Sequence, residues 1–352
     1  MDYQLIMQPS IKTRNAFIDL FRIVCAVMVV IIHAKPFKDV NPYFESFFVN
    51  YFPRIAVPFF LCTISFYYVQ KLNSGISVKS TWIRLFRVYV FWSAVYFVYS
   101  LVYSLATNRF SILSFLENTV YGFFVNGIGY QLWFFPAVFL GLFILTICHK
   151  LKILKFASIF SLVFYIIGLL GSIYYEVGMK IPLISSLISK PFFYAYVQRP
   201  LSLGLNFIFM GYFLCEFLKS YKKNNKIIFV LFAITVLLFF LEIFLARYFN
   251  LYSNVKLSVF LYPLTFLVMT LLLSNSTQNK KIIKFSKATR DISNFMYYSH
   301  VLVLALFRIF DNFVIKIPYF YTISCFGTIV ITFLVGLLIH KSKNQKIKDF
   351  IL

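Results

Sequence analysis

Charge is scarce in this chain, and acid is scarcer than base. Only 13% of the 352 residues are charged, and Asp and Glu number 11 against 34 Lys and Arg. A soluble domain carries about 25% charged residues, so a soluble enzyme, a disordered tail and a nucleic-acid-binding domain are excluded. The few glutamates, Glu117, Glu176, Glu216 and Glu242 among them, are scattered and offer no pair for glycoside hydrolysis. No Walker-type phosphate loop is present to drive an ATP-dependent pump. The five cysteines stand singly in apolar runs, so they read as small buried hydrophobes, and neither a disulfide framework nor a metal site is expected. The N-terminus begins polar, and its first apolar run contains Asp19 and Arg22 without a following small-residue cleavage site. A cleavable signal peptide is therefore not expected.

What the chain has is hydrophobic length: 61% of its residues are apolar, with a mean hydropathy of +0.82. A helix that crosses a bilayer needs about 20 mostly apolar residues. Ten such segments are expected, near 17–36, 53–71, 82–106, 131–149, 153–175, 199–218, 227–248, 256–274, 292–311 and 318–340. Runs this long exclude a membrane β-barrel, whose strands are short and alternate. The expected fold class is thus all-α: one polytopic membrane domain over residues 1–352 with about ten transmembrane helices.

Basic residues orient such a bundle. With a cytoplasmic N-terminus, every inner segment is basic: Lys12 and Arg14, Lys71 and Lys79, Lys150 to Lys155, Lys219 to Lys226, Lys280 to Arg290, and Lys341 to Lys348. Fewer fall outside, among them Arg54, Arg109, Arg199 and Lys256. Both termini are then cytoplasmic, with tails at 1–16 and 341–352. The net charge of +23 reads as topology and contact with anionic lipid, not as nucleic-acid binding. The long outer loops, about 37–52, 107–130 and 176–198, are where an acceptor molecule is expected to be met.

Charges inside a span normally face a cavity or a partner. In the first segment ten residues separate Arg22 from His33; eleven helical steps place both on one face within roughly 20°, about 16 Å apart along the axis. Asp19 lies one turn below Arg22. His33 taken alone also fits an interfacial helix end, and Asp19 with Arg22 also fits a structural pair. Arg84 and Arg87 open the third segment one turn apart; they suit either inner-face anchoring or a clamp on phosphate, which the guanidinium fork binds bidentately. Tyr130-Gln131-Leu-Trp133-Phe-Phe-Pro136 and Pro53-Arg54-Ile-Ala-Val-Pro58 sit near the outer face. His300 lies within the ninth segment, about one-third of the way from its inner end, as either a packed or a cavity-lining residue.

The combination Asp19-Leu-Phe-Arg22-x10-His33, Arg54-Ile-Ala-Val-Pro58-Phe-Phe, Arg84-x-x-Arg87, Leu132-Trp133-Phe-Phe and Ile292-Ser…Tyr-x-x-His300 resembles the integral-membrane acyltransferase family 3, in order, from about residue 15 to 310. The resemblance implies ten helices and transfer of an acyl group, mostly acetyl, from cytosolic acyl-coenzyme A to carbohydrate of the bacterial envelope. Its Arg-x10-His motif falls on Arg22 and His33, and its Arg-x-x-Arg motif on Arg84 and Arg87. The stretch Val125 to Ala137 is also similar to the membrane half of vancomycin-resistance serine racemases, and no soluble racemase domain is expected within these residues. Two departures stand out: Gln131 where many relatives have histidine, and Phe66 after Ser65 where glycine is usual.

On this reading the protein is a multi-pass O-acyltransferase of the bacterial cell membrane, with membrane lipid, acyl-coenzyme A and an envelope carbohydrate as its partners and no tightly bound cofactor. His33 is the expected general base, Arg22 and Asp19 support it, and Arg84 and Arg87 hold the donor phosphates. The pantetheine arm is expected to run up the core towards His33, and Arg54, Gln131, Trp133 and His300 to meet the acceptor. The competing classes are a transporter or flippase of a small polar molecule such as serine or of an envelope precursor, and a scaffold within an envelope-synthesis complex.

Overall fold

The computed structural model describes residues 15–108 and 110–352. Lys12, Arg14 and Arg109, used above to orient the bundle, lie outside the described residues. All regular structure among the described residues is helical. Ten apolar helices follow one another: α1 (Ala16–Ala34), α2 (Ala56–Asn73), α3 (Lys79–Ala106), α4 (Phe134–Lys150), α5 (Leu154–Leu170), α6 (Asn206–Ser220), α7 (Asn225–Tyr248), α8 (Leu261–Leu273), α9 (Lys280–Phe313) and α10 (Phe320–Lys341), with a short α11 (Gln345–Ile351) after them. Eight of the helical stretches are long and apolar enough to cross a membrane; α5 and α8, at 17 and 13 residues, are the shorter apolar helices.

The surface is that of a protein dissolved in lipid. Along α7, Phe229, Val230, Leu237 and Phe244 are exposed, whereas Thr63, Ser65, Ser158, Ser161, Asn206 and Thr265 are buried between helices. Water as solvent would select the reverse; in a bilayer, small polar residues instead bind helices together. Ser65 Oγ of α2 donates to the Ile208 carbonyl of α6. One turn on, a Cβ at Gly211 would lie 2.6 Å from the Phe66 nitrogen, so α6 can approach α2 this closely only without a side chain there. The small residue that Phe66 lacks is therefore found on the partner helix.

Asparagine caps fix the helix starts. Asn15 Oδ1 accepts from the Phe17 and Ile18 amides, while its Nδ2 donates to the carbonyls of Leu272 and Asn275, pinning the start of α1 to the end of α8. Asn279 caps α9 in the same way through Lys281 and Ile282. That cap starts α9 at Lys280, twelve residues before the apolar window opens, because the first turns are amphipathic and basic. Buried Glu242 of α7 accepts from the Val259 and Phe260 amides and from Tyr174 Oη, closing the N-terminal end of α8. The long loops hold further short helices: Pro42–Asn50, Ile112–Tyr121, Tyr175–Met179 and Pro182–Ile188.

Candidate active site

α1 carries chemistry at both ends. Near its start, Arg22 Nε lies 3.7 Å from Asp19 Oδ1, and Thr289 of α9 donates its hydroxyl to the Asp19 backbone carbonyl at 3.2 Å. Arg22 and Arg84 border one cavity of about 40 Å³, together with Phe60, Phe134, Asn294, Tyr297, Tyr298 and Leu352. Arg87 is not among its lining residues. Its guanidinium is 3.9 Å from Asp349 and stands over the Phe350 ring at 5.4 Å, both residues of α11. The two arginines of the Arg-x-x-Arg motif are therefore parted: Arg84 faces the cavity and Arg87 faces α11.

At the other end of α1, His33 borders a second cavity of about 100 Å³. A buried water needs about 10–15 Å³ of such space, so this volume accommodates one compact polar ligand group or a cluster of waters. Arg54 enters from the 3₁₀ turn Phe52–Ile55, where it donates to Asn50 Oδ1. Trp133 enters from a second 3₁₀ turn, Tyr130–Trp133, together with Tyr130. Gly127 lets the loop pass behind that turn: its φ is +75°, and a Cβ there would lie 2.4 Å from the Leu132 carbonyl carbon. The His33 and Tyr130 rings meet edge to face at 5.2 Å.

Two expected contact residues sit behind this cavity and do not line it. Gln131 is 1% exposed, donates Nε2–H to the Tyr298 carbonyl at 2.7 Å, and accepts Tyr297 Oη at its own carbonyl at 3.3 Å. It ties the turn to α9. His300 is fully buried with its ring 5.1 Å from that of His33. It thus stands at the His33 end of the bundle, higher than the apolar window alone implied. Its Nδ1 faces the carbonyls of Met296 and Tyr297 at 3.1 and 2.8 Å, which assigns the proton to that nitrogen and leaves Nε2 as an acceptor.

The cavity also contains residues to which sequence reasoning gave no role at a site: Tyr194 and Gln198 of the outer loop, and Arg199 and Lys256 at the outer edges of expected spans. Tyr194 to Arg199 belong to a π-helical run, Phe193–Leu205, with Pro200 inside it. Wide π turns tolerate the missing amide and recur at functional sites. The Arg199 guanidinium donates to Asn126 Oδ1 at 3.2 Å and lies over Tyr194, Tyr130 and Trp133 at 4.2, 5.1 and 5.2 Å. Lys256 Nζ approaches the same Tyr194 ring at 3.7 Å. Burial lowers the Lys256 ammonium to about 8; Tyr130 opposes that shift, and Arg199 and Arg54 add to it. The aromatic-Gln-Arg-Pro pattern at 194–200 is the signal that was there to be read.

The two cavities share no lining residue. Between them Tyr297 packs against Phe60 at 5.5 Å and Phe134 at 5.4 Å, with His300 at 6.2 Å beyond. The expectation is a pantetheine arm running up the core from Arg84 to His33; an aromatic septum of Tyr297, Phe60 and Phe134, with His300 behind it, lies across that path.

Fold and site together define a polytopic α-helical membrane protein with a histidine-lined cavity at one end of its bundle and an arginine-lined cavity at the other. The chain belongs to the acyltransferase 3 family: the family's sequence pattern, described as an acyltransferase domain, matches residues 15–337. It is 28% identical over 309 residues to an amino-acid racemase of Enterococcus faecalis, covering 84% of this chain and 42% of that protein. A second Enterococcus faecalis amino-acid racemase is 22% identical over 343 residues, 94% of this chain and 46% of the relative. A serine/alanine racemase of Enterococcus gallinarum is 30% identical over 226 residues, 60% of this chain and 30% of the relative. The chain thus spans less than half the length of these curated relatives. No solved structure matches it.

Proposed function

We propose that the chain is a membrane O-acyltransferase of the bacterial cell membrane, moving an acyl group, acetyl in the first instance, from cytosolic acyl-coenzyme A to a hydroxyl of a cell-envelope polysaccharide or its precursor. One observation carries the reading: Arg22 and His33 of a single helix open onto two cavities at opposite ends of the bundle. The basic loops favour the Arg84 end, with both chain termini, on the cytoplasmic side. Donor phosphates then meet Arg84 and Arg22, while Asp19 steadies Arg22. The acyl-thioester end passes the Tyr297 septum when that ring swings aside.

At His33 the imidazole takes the proton of the acceptor hydroxyl, and the oxygen attacks the thioester carbonyl carbon. The C–O bond forms, the C–S bond breaks, and the imidazolium returns its proton to the leaving thiolate. The products are the O-acyl ester and free coenzyme A, with His33 restored. His300 supports the His33 ring from behind, and Gln131 holds the turn that presents Trp133.

The test compares envelope polysaccharide from a deletion strain, and from that strain carrying wild type or His33→Ala, by proton NMR. Loss of an O-acetyl signal that only wild type restores is the expected result; unchanged acetylation in the deletion strain overturns the reading. A transport reading is favoured by one observation, that the relatives are amino-acid and serine/alanine racemases. Saturable uptake of labelled serine into vesicles, with no acyl transfer, would support it instead.

A further inference from the structure

The lining of the His33 cavity gathers positive charge and contributes no acid of its own. Arg54, Arg199 and Lys256 all line it, and none of its lining residues is Asp or Glu. Among the described residues none of these three cations is held in an ion pair. The Nε atoms of Arg54 and Arg199 are buried with no hydrogen-bond partner, although Arg199 is only 8% exposed. Their hydrogen-bond and ring contacts are neutral: Asn50, Asn126 and the faces of Tyr130, Trp133 and Tyr194; Glu45 acts on Arg54 without forming an ion pair, and Arg247 opposes it. Buried cations repel one another in a low local dielectric, and an uncompensated buried charge is strongly destabilising. Lining of this kind is stable when an anion completes it, and guanidinium groups with free N–H donors are suited to the paired oxygens of carboxylate and phosphate.

We infer that the acceptor is anionic: a carboxylate- or phosphate-bearing sugar unit whose negative group rests on Arg54, Arg199 and Lys256 and whose neighbouring hydroxyl faces His33. The identity of that molecule as an acceptor rests on the acyltransferase reading; the anion site itself does not. Trp133 and Tyr130 supply flat faces for the apolar side of a sugar ring. Asn126 and Asn50 hold the two guanidinium groups, so the site is largely formed before the ligand arrives.

The test has two arms on the full chain in lipid nanodiscs. In the first, binding of glucuronate, glucose 1-phosphate and glucose is measured by calorimetry at pH 7. At least one anion should bind tenfold or more tightly than glucose, and which one does tells carboxylate from phosphate. Arg199→Gln with Lys256→Gln should remove the preference, and Lys256→Gln alone, in a loop outside the helices, should weaken it if the double variant fails to fold. Glucose binding as tightly as both anions, or variants that bind them like wild type, overturns the inference. The second arm offers acetyl-coenzyme A with a glucuronate-containing oligosaccharide and with its carboxyl-reduced counterpart. Equal transfer to both overturns the inference while acyl transfer stands; transfer to neither, with anion binding intact, removes the acyltransferase reading and leaves the anion site.

Discussion

His33 of α1 and His300 of α9 hold their rings 5.1 Å apart and inclined at 38°. The first borders a cavity; the second is fully buried, its Nδ1 committed to two carbonyls of its own helix. Only one imidazole of the pair therefore meets the cavity, and the other packs behind it. His33→Ala should lower acyl transfer by about 10²–10⁴-fold, the range for a lost general base, with unchanged protein abundance in the membrane. His300→Phe should keep the bulk behind His33 but remove the Nε2 acceptor. We expect about a tenfold fall in kcat, with KM for the donor unchanged, measured by radiolabelled acetyl transfer.

The septum makes a separate prediction. Tyr297, Phe60 and Phe134 divide the arginine cavity from the histidine cavity. Under the proposed acyl transfer, a donor thioester is kept from the far side until the Tyr297 ring moves. Tyr297→Leu leaves a smaller plug and also removes the hydroxyl that donates to the Gln131 carbonyl. Acceptor-independent hydrolysis of acetyl-coenzyme A should rise several-fold, and the ratio of transfer to hydrolysis should fall. Phe134→Leu, which leaves the hydroxyl in place, should show the same direction.

Much of this architecture is legible in sequence because the bilayer enforces it. Each expected span lies on one of α1 to α10, and the order of turns between them follows from the basic punctuation. The edges are less legible: α9 begins at Lys280 because Asn279 caps it, not because hydropathy rises there. Asp19, Arg22 and His33 could be placed on one stripe because one helix carries them. Arg199 and Lys256 could not, since they reach His33 only through folding of the π-helical run and the loop before α8. The septum was invisible for another reason: Phe60, Phe134 and Tyr297 look like lipid-facing aromatics until their packing is known. Gln131 looked like a replaced acid/base residue, but its position behind the turn gives it a tethering contact instead.

Lys256 makes anion binding depend on pH. Its ammonium titrates near 8, chiefly through burial, so it is mostly charged at pH 7 and mostly neutral at pH 9. An anion binds the charged form, hence affinity should fall as pH rises through that value, approaching tenfold per unit above it where the lysine contact dominates. Lys256→Arg, which stays charged throughout, should flatten the profile between pH 7 and 9. Calorimetric titration of the favoured anion across that range checks it; a wild-type profile as flat as the arginine variant's counts against a Lys256 contact.

Glu242 illustrates a charged residue retained for structure. It accepts three hydrogen bonds, two from the Val259 and Phe260 amides just before α8 and one from Tyr174. Hydrogen bonds to a charged group contribute about 1.5–3 kcal/mol each, although those at one carboxylate do not add in full. Glu242→Leu leaves two amides without their acceptor and should cost about 2–4 kcal/mol, lowering Tm in detergent markedly. Glu242→Gln keeps one acceptor oxygen and should recover about half of the loss. Transfer activity of the surviving folded fraction should match wild type, because Glu242 lines neither cavity.

Arg87 supplies the last prediction. Its guanidinium is turned to α11, 3.9 Å from Asp349, with side chains 37% and 46% exposed. Exposed pairs of this kind contribute about 0–1 kcal/mol, so breaking one hardly disturbs the fold. Nearby, Trp92 Nε1 donates to the Ile351 carbonyl and Asn294 Nδ2 to the Leu352 carbonyl, which keeps the end of α11 against the arginine cavity. A donor phosphate that engages both Arg84 and Arg87 must first displace the Asp349 carboxylate. Asp349→Asn removes that competitor and leaves the backbone contacts in place. KM for acetyl-coenzyme A should therefore fall by about two- to fivefold, the equivalent of less than 1 kcal/mol, with Tm unchanged. Arg87→Gln should raise KM more in the Asp349→Asn background than in wild type if the phosphate is its partner, because only there is the guanidinium free of its competitor. If Arg87 serves only to hold α11, Asp349→Asn will leave KM where it was, and Arg87→Gln will alter Tm alone.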